Sequence, residues 1–136
     1  MEKMKILLDT NFLVYCAKQK IDYLYEIDNL AIEKSAIIVL SSVIDELKRL
    51  EREVKKRSDR DAFSLALSML RNYAKKGKIK ILKTDKKADK AILELSEKDK
   101  TKGKIIVATA DKELKRALKG RARLLVIRGR KKLELL

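Results

Sequence analysis

Histidine, proline and tryptophan are absent from this 136-residue sequence, and cysteine occurs once, at Cys16. A lone cysteine rules out an internal disulfide and reads as a small core residue. With no imidazole and one thiol, any bound metal must be held by oxygen, which removes structural zinc, haem and iron–sulfur sites. Mechanisms built on a histidine base, the Ser-His-Asp and Cys-His arrangements among them, are removed too. Carboxylates, hydroxyls and lysines remain, with whatever cation the carboxylates hold. Aromatic side chains make up only 4%, and of the early ones, Phe12, Tyr15, Tyr23 and Tyr25, most read as core. No apolar run is long enough to span a bilayer. The opening MEKMKILLD lacks the long apolar stretch and cleavage site of a signal peptide. A soluble, cytoplasmic protein with no membrane partner is expected.

Charge is what the chain has in excess. Thirty-five Lys and Arg face twenty Asp and Glu, a net of +15. Residues 1–50 hold seven basic and eight acidic side chains, and residues 51–136 hold twenty-eight and twelve, so the net is −1 in one part and +16 in the other. That asymmetry suggests a polyanionic partner, set against a charge-rich, heat-adapted surface. The length fits one domain, residues 1–136, with enough apolar content, 46%, for a self-sufficient core.

Apolar runs and polar breaks alternate along the chain. Met4–Leu8, Ala36–Leu40, Ile79–Leu82, Lys104–Ala108 and Leu124–Ile127 read as strands, and Lys132–Leu135 as a further terminal one. Asn11–Ala17 and Tyr23–Glu33 read as helical. Helices capped by Ser41 or Ser42, by Ser58 or Asp59 and by Thr84 or Asp85 follow, each with apolar residues near a period of 3.6. The dense charge run from Lys48 to Arg60 reads as an exposed, ion-paired helical stretch. Asp111–Lys119 is a short helix closed by Gly120. Strands alternating with helices imply an α/β class: three layers, α/β/α, around a mostly parallel sheet of about five strands. Sites in such folds lie beyond the carboxyl ends of the strands.

Four carboxylates are expected there. Asp9 follows the first strand directly and Asp111 follows the fourth; each alone also suits a helix N-cap. Glu46 borders the apolar stripe of the helix after the second strand, while neighbouring Asp45 turns toward Lys48, Arg49 and Arg52. Asp89 borders the stripe of the helix after the third strand. Gathered together, the four would repel, at about 4 kcal/mol for two charges ~4 Å apart in an effective dielectric of 20. Mg²⁺ or Mn²⁺ relieves such repulsion with oxygen ligands and retained waters, and there it activates water and stabilises charge on a phosphate.

The segments LLDTNFLVY, VIDELKRL, KKADKAILELSEKD and IIVATADKELKRAL resemble, in order, the four motifs of the PIN domain nucleases. The resemblance runs from Met4 to about Ile127, and the first and fourth motifs carry most of it. It implies metal-dependent endoribonuclease activity on single-stranded RNA. Its acidic quartet would be Asp9, Glu46, Asp89 and Asp111, serving as catalytic and metal-binding residues, with Asn11 and Thr109 as polar supports. DTNF with VATADKELKR looks closest to the branch that processes small-subunit ribosomal RNA precursors, with VapC-type toxins nearby. A homodimer is common in the family. No proline precedes the Glu46 helix, a departure from a frequent family feature.

Residues 112–132 carry ten basic side chains and one acidic. Lys112, Lys115 and Lys119 recur at helical spacing with Arg116 beside them, and Arg121, Arg123, Arg128, Arg130 and Lys131 extend the field toward an RNA backbone. Recognition would then rest on phosphates and shape. A phospho-receiver domain lacks its acidic pair here, and a dinucleotide-binding domain would need glycines where the first turn reads DTNF. A non-catalytic RNA-binding ribosome-assembly factor would keep the basic surface without needing the quartet.

Overall fold

The computed structural model describes residues 3–99 and 103–136. Among these, the elements run β1 Met4–Leu8, α1 Thr10–Gln19, α2 Tyr23–Asn29, β2 Ser35–Leu40, α3 Ser41–Glu53, α4 Arg57–Lys75, β3 Lys80–Leu82, α5 Ala88–Asp99, β4 Ile105–Ala108, α6 Lys112–Leu118, β5 Arg123–Arg128 and β6 Lys132–Leu135. The sheet has six strands in the order β3-β2-β1-β4-β5-β6, parallel except for β6 against β5. This is the three-layer α/β/α arrangement expected, with the terminal segment as its sixth strand.

The central strands explain the apolar runs. β4 is buried along its whole length and β1 everywhere except Lys5, because helices cover both faces of a parallel sheet. Ile6, Ile106, Val39 and Leu125 are all fully enclosed. Val43 and Leu47 of α3 bury the stripe that its period prescribed. Phe12 and Tyr23 meet edge to face at 6.2 Å, and Tyr23 and Tyr73 at 5.6 Å. Tyr15 and Tyr25 are not core: they are 36% and 61% exposed, since the buried side of α1 is held by Phe12, Leu13, Cys16 and Ala17 and that of α2 by Tyr23 and Ile27. No helix among the described residues is long and apolar enough to cross a membrane.

Helix starts differ from the sequence reading. α3 has Leu40 at its N-cap position, and α4 has Lys56, with no side-chain cap on either. Ser41 does not cap α3. Its Oγ donates to the Thr84 carbonyl at 3.1 Å and accepts from the Thr84 amide at 2.8 Å. This tertiary partner outcompetes the local one and ties the start of α3 to the segment leading into α5. Thr84 is in turn too far upstream to cap α5; its Oγ1 accepts from the Lys86 amide at 3.3 Å. The charged run from Lys48 to Arg60 is broken at residues 54–56 into α3 and α4.

Candidate active site

The strand order reverses at the centre. From β1 the chain adds β2 and β3 on one side, then returns to place β4 on the other. At such a switch point the connections leave toward opposite faces and open a crevice beyond the carboxyl ends. Asp9 follows β1 and Asp111 lies three residues after β4, so both stand at this crevice. The Asp9 amide donates to the Ala108 carbonyl at 2.9 Å, which zips the carboxyl end of β1 onto β4.

A cavity of about 530 Å³ occupies the crevice. Asp9, Asn11, Glu46, Asp89 and Asp111 line it, together with Ser42, Asp45, Arg49 and the stretch Thr84–Ala88. The four acids singled out from the sequence therefore face one space. Asp9 is buried, Glu46 and Asp111 are half-buried, and Asp89 is exposed. Asp89 thus departs from the expectation that it borders the apolar stripe. In the first turn of α5 it lines the cavity at an exposed position, and its Oδ1 accepts from the Lys90 amide at 2.8 Å. Asp45 is exposed, as its helical position requires, yet it too reaches the cavity rim.

Thr109, 1% exposed, organises the buried side. Its Oγ1 lies 2.7 Å from Asp9 Oδ2 and 3.2 Å from Asn11 Oδ1. A hydroxyl has one proton, and the shorter distance, to a charged acceptor, assigns it to Asp9. The same oxygen accepts from the Asp111 amide at 3.1 Å. Asn11 Oδ1 accepts from the Ala110 amide at 3.1 Å, holding the start of α1 to the loop after β4. Thr10 Oγ1 donates to Glu46 Oε2 at 3.3 Å. Asp111 is also a helix N-cap, its Oδ1 accepting from the amides of Glu113 and Leu114 at 2.8 and 3.2 Å, so its capping and cavity-lining positions coexist. Asp9 occupies an N-cap position without making the side-chain bond.

Burial holds the Asp9 carboxyl above its ordinary range, and the negative charges of Glu46 and Asp111 push the same way; the Thr109 hydrogen bond opposes them. The ionised form is therefore short of positive charge. Among the described residues no three or more acidic or thiol side chains are gathered into a cage that could hold a metal ion. A divalent cation that keeps several waters and takes only one or two carboxylates directly needs no such cage. The all-oxygen donor set, and the repulsion felt at Asp9, fit that kind of ion.

The basic residues singled out from the sequence lie outside the cavity lining. Lys112, Arg116 and Lys119 are exposed on and just after α6, Lys115 is half-buried, and Arg130 is exposed in the β5–β6 turn. Arg121 pairs with Glu97 at 3.2 Å and Arg128 with Glu134 at 2.8 Å. Sequence reasoning missed Arg49, Lys86 and Lys87 as cavity residues, although TDKKAD, starting two residues after the end of β3, places acids beyond a strand as LLD does.

Thr109→Val is expected to leave Asp9 buried without its donor, at a cost of about 1–3 kcal/mol near neutral pH. The Asp9 pKa, already raised in the fold, should rise further. Stability tied to a raised carboxyl is fully present below its unfolded value and is lost as pH rises through the folded one. The deficit should accordingly shrink below about pH 4. Thermal melting at acidic and neutral pH measures this; an equal deficit at both would mean that Thr109 acts through packing alone.

A family model described as a PIN like domain matches residues 6–132. The chain is 38% identical over 135 residues to Ribonuclease VapC4 of Methanocaldococcus jannaschii, across 96% of this chain and 95% of that protein. It resembles the structure of the PIN domain endonuclease Utp24 with a TM-score of 0.72 and 25% identity, over 97% of this chain and 92% of that one. VapBC2 from Rickettsia felis, solved with a DNA fragment from their promoter, shares the fold at a TM-score of 0.55 and 20% identity, over 92% of this chain and all of that one.

Proposed function

The chain belongs to the PIN-like domain family, and from that premise we propose that it is an endoribonuclease hydrolysing phosphodiester bonds of single-stranded RNA. One observation carries the reading: Asp9, Glu46, Asp89 and Asp111 come from four separate segments and line one cavity at the switch point of the sheet. These residues would hold Mg²⁺ or Mn²⁺, which, when bound, supplies an activated water and offsets charge on the phosphate. Thr109 fixes the Asp9 oxygen and the Asp111 amide; Asn11 fixes the loop between them. Lys112, Arg116, Lys119 and Arg130 place positive charge around the acids, which draws a polyanion without reading its sequence. Residues 1–136 act as a single domain, in the cytoplasm and as a homodimer.

Two targets are compatible with this chemistry. The 38% identity to Ribonuclease VapC4 favours a VapC-type toxin ribonuclease, and the resemblance of DTNF and VATADKELKR to the branch that processes small-subunit ribosomal RNA precursors favours maturation of precursor ribosomal RNA. Cleavage of precursor ribosomal RNA and of transfer RNA, each with Mg²⁺ and with Mn²⁺, separates them. Site-specific cuts in the precursor are expected for maturation, and cuts in transfer RNA for a toxin. Binding of both RNAs with no metal-dependent cleavage would instead identify a non-catalytic assembly factor.

A further inference from the structure

The acids account for only part of the cavity lining. Ser42, Arg49, Thr84, Lys86 and Lys87 also line it. Two of these cations are engaged already, Lys86 with Glu94 and Arg49 with Glu53. Lys87 is exposed and has no carboxylate partner among the described residues. Its backbone is nevertheless held on both sides. The paired hydrogen bonds between Ser41 and Thr84 anchor the segment before it. Its own carbonyl accepts from the Ala91 amide at 2.9 Å, at the start of α5. A fixed backbone and an uncommitted ammonium group suit a fixed anion.

Sheet order decides where that ammonium group stands relative to the acids. Along the carboxyl edge, Lys87 follows β3, Glu46 follows β2, Asp9 follows β1, Asp111 follows β4, and Arg130 lies in the turn after β5. Of these five positions the two at the ends are cations and the three in the middle are acids, with Asp85 two residues before Lys87 and Asp89 two residues after it on the β3 side. Neighbouring strands lie ~4.8 Å apart, so β3 and β5 are separated by roughly 19 Å. A polyanionic strand laid along this edge meets a cation on each side of the acids.

The geometry points to Lys87 as a positioning residue that holds a backbone phosphate of single-stranded RNA on the β3 flank of the scissile bond, with Arg130 on the opposite flank. This rests on the ribonuclease reading of the same cavity and names the direction in which the strand crosses it. The contact is a point charge on a phosphate and is indifferent to the base.

The test is fluorescence anisotropy of a labelled single-stranded oligoribonucleotide with the full chain in chelator, over a range of salt. Lys87→Ala should reduce the slope of log affinity against log salt by about 0.7, the value of one phosphate contact on a single strand. Lys87→Arg should restore it, and Lys76→Ala, exposed at the end of α4, should leave it unchanged. In cleavage assays with Mg²⁺ or Mn²⁺, Lys87→Ala should raise KM for the long strand with kcat unchanged. It should not alter cleavage of a dinucleotide, which has no flanking phosphate. An unchanged salt slope for Lys87→Ala, or an equal loss for Lys76→Ala, overturns the assignment. Wild type that binds RNA and never cleaves it overturns the ribonuclease reading alone, while the slope still decides Lys87.

Discussion

Asp9→Asn is expected to lower RNA cleavage by about a hundredfold to a thousandfold, the equivalent of roughly 3 to 4 kcal/mol of lost charge stabilisation. RNA binding should be unchanged or tighter. The substitution removes a charged ligand, and it also removes repulsion between the cavity and phosphate. Stability should move the other way from activity. Burial and the neighbouring Glu46 and Asp111 raise the Asp9 carboxyl, so the ionised form is the costly one in the fold. Stability from a raised group is present at low pH and lost as pH climbs through the folded value. The metal-free Asp9→Asn variant should accordingly melt higher than wild type at neutral pH and match it below about pH 4. Saturating Mg²⁺ should close the gap by stabilising wild type through mass action. Melting curves across pH with and without Mg²⁺, beside cleavage rates, provide the test. A variant that cleaves normally, or that melts lower than wild type at neutral pH without metal, would remove Asp9 from the proposed site.

The second large effect is a contrast between neighbours. Glu46→Gln should cost most of the cleavage rate, whereas Asp45→Asn should retain most of it. Both are on the first turns of α3 and both reach the cavity. They differ in direction: Glu46 is half-buried and meets Thr10 Oγ1 across the crevice, while Asp45 is exposed at the rim. A glutamine side chain keeps an oxygen for the Thr10 hydroxyl, so the structural bond survives while the charge is lost. With the repulsion on Asp9 relieved, the metal-free Glu46→Gln variant should be as stable as wild type or more so, by ~1 kcal/mol. Cleavage rates and melting of the two variants decide it. If Asp45→Asn is the inactive one, or if Glu46→Gln strongly destabilises the metal-free protein, Glu46 is a structural residue and the quartet is wrong.

The elements that carry the candidate site were legible where local pattern and burial agree. MKILL and KIIVA announce buried strands because two covered faces demand continuous apolar residues, and the acids after them are visible as soon as the strands are. Glu46 could be placed by period alone, since α3 buries Val43 and Leu47 on either side of it. What local sequence does not encode is pairing across the fold. Ser41 looks like a cap, and only the position of Thr84, 43 residues away, turns its hydroxyl elsewhere. Asp89 looks half-buried by period, yet it sits at the open end of its helix. Lys86 and Lys87 look like two more surface lysines in a lysine-rich chain until β3 is known to lie beside β2.

The link between Thr109 and Asp9 spans 100 positions of the chain. β1 acquires one neighbour from β2 early in synthesis, but its other edge stays open until β4 has been made. At ordinary elongation rates that interval is roughly 5 to 20 seconds, and closing so long a loop adds to the delay in folding. The cavity therefore matures late, only once β4 and the segment after it have been made. A growing chain spends most of its time on the ribosome as an unfinished sheet, without the buried carboxylate or the neighbour that aligns it. For a protein that would act on RNA, and that is born beside its own messenger, late assembly keeps the nascent chain inert.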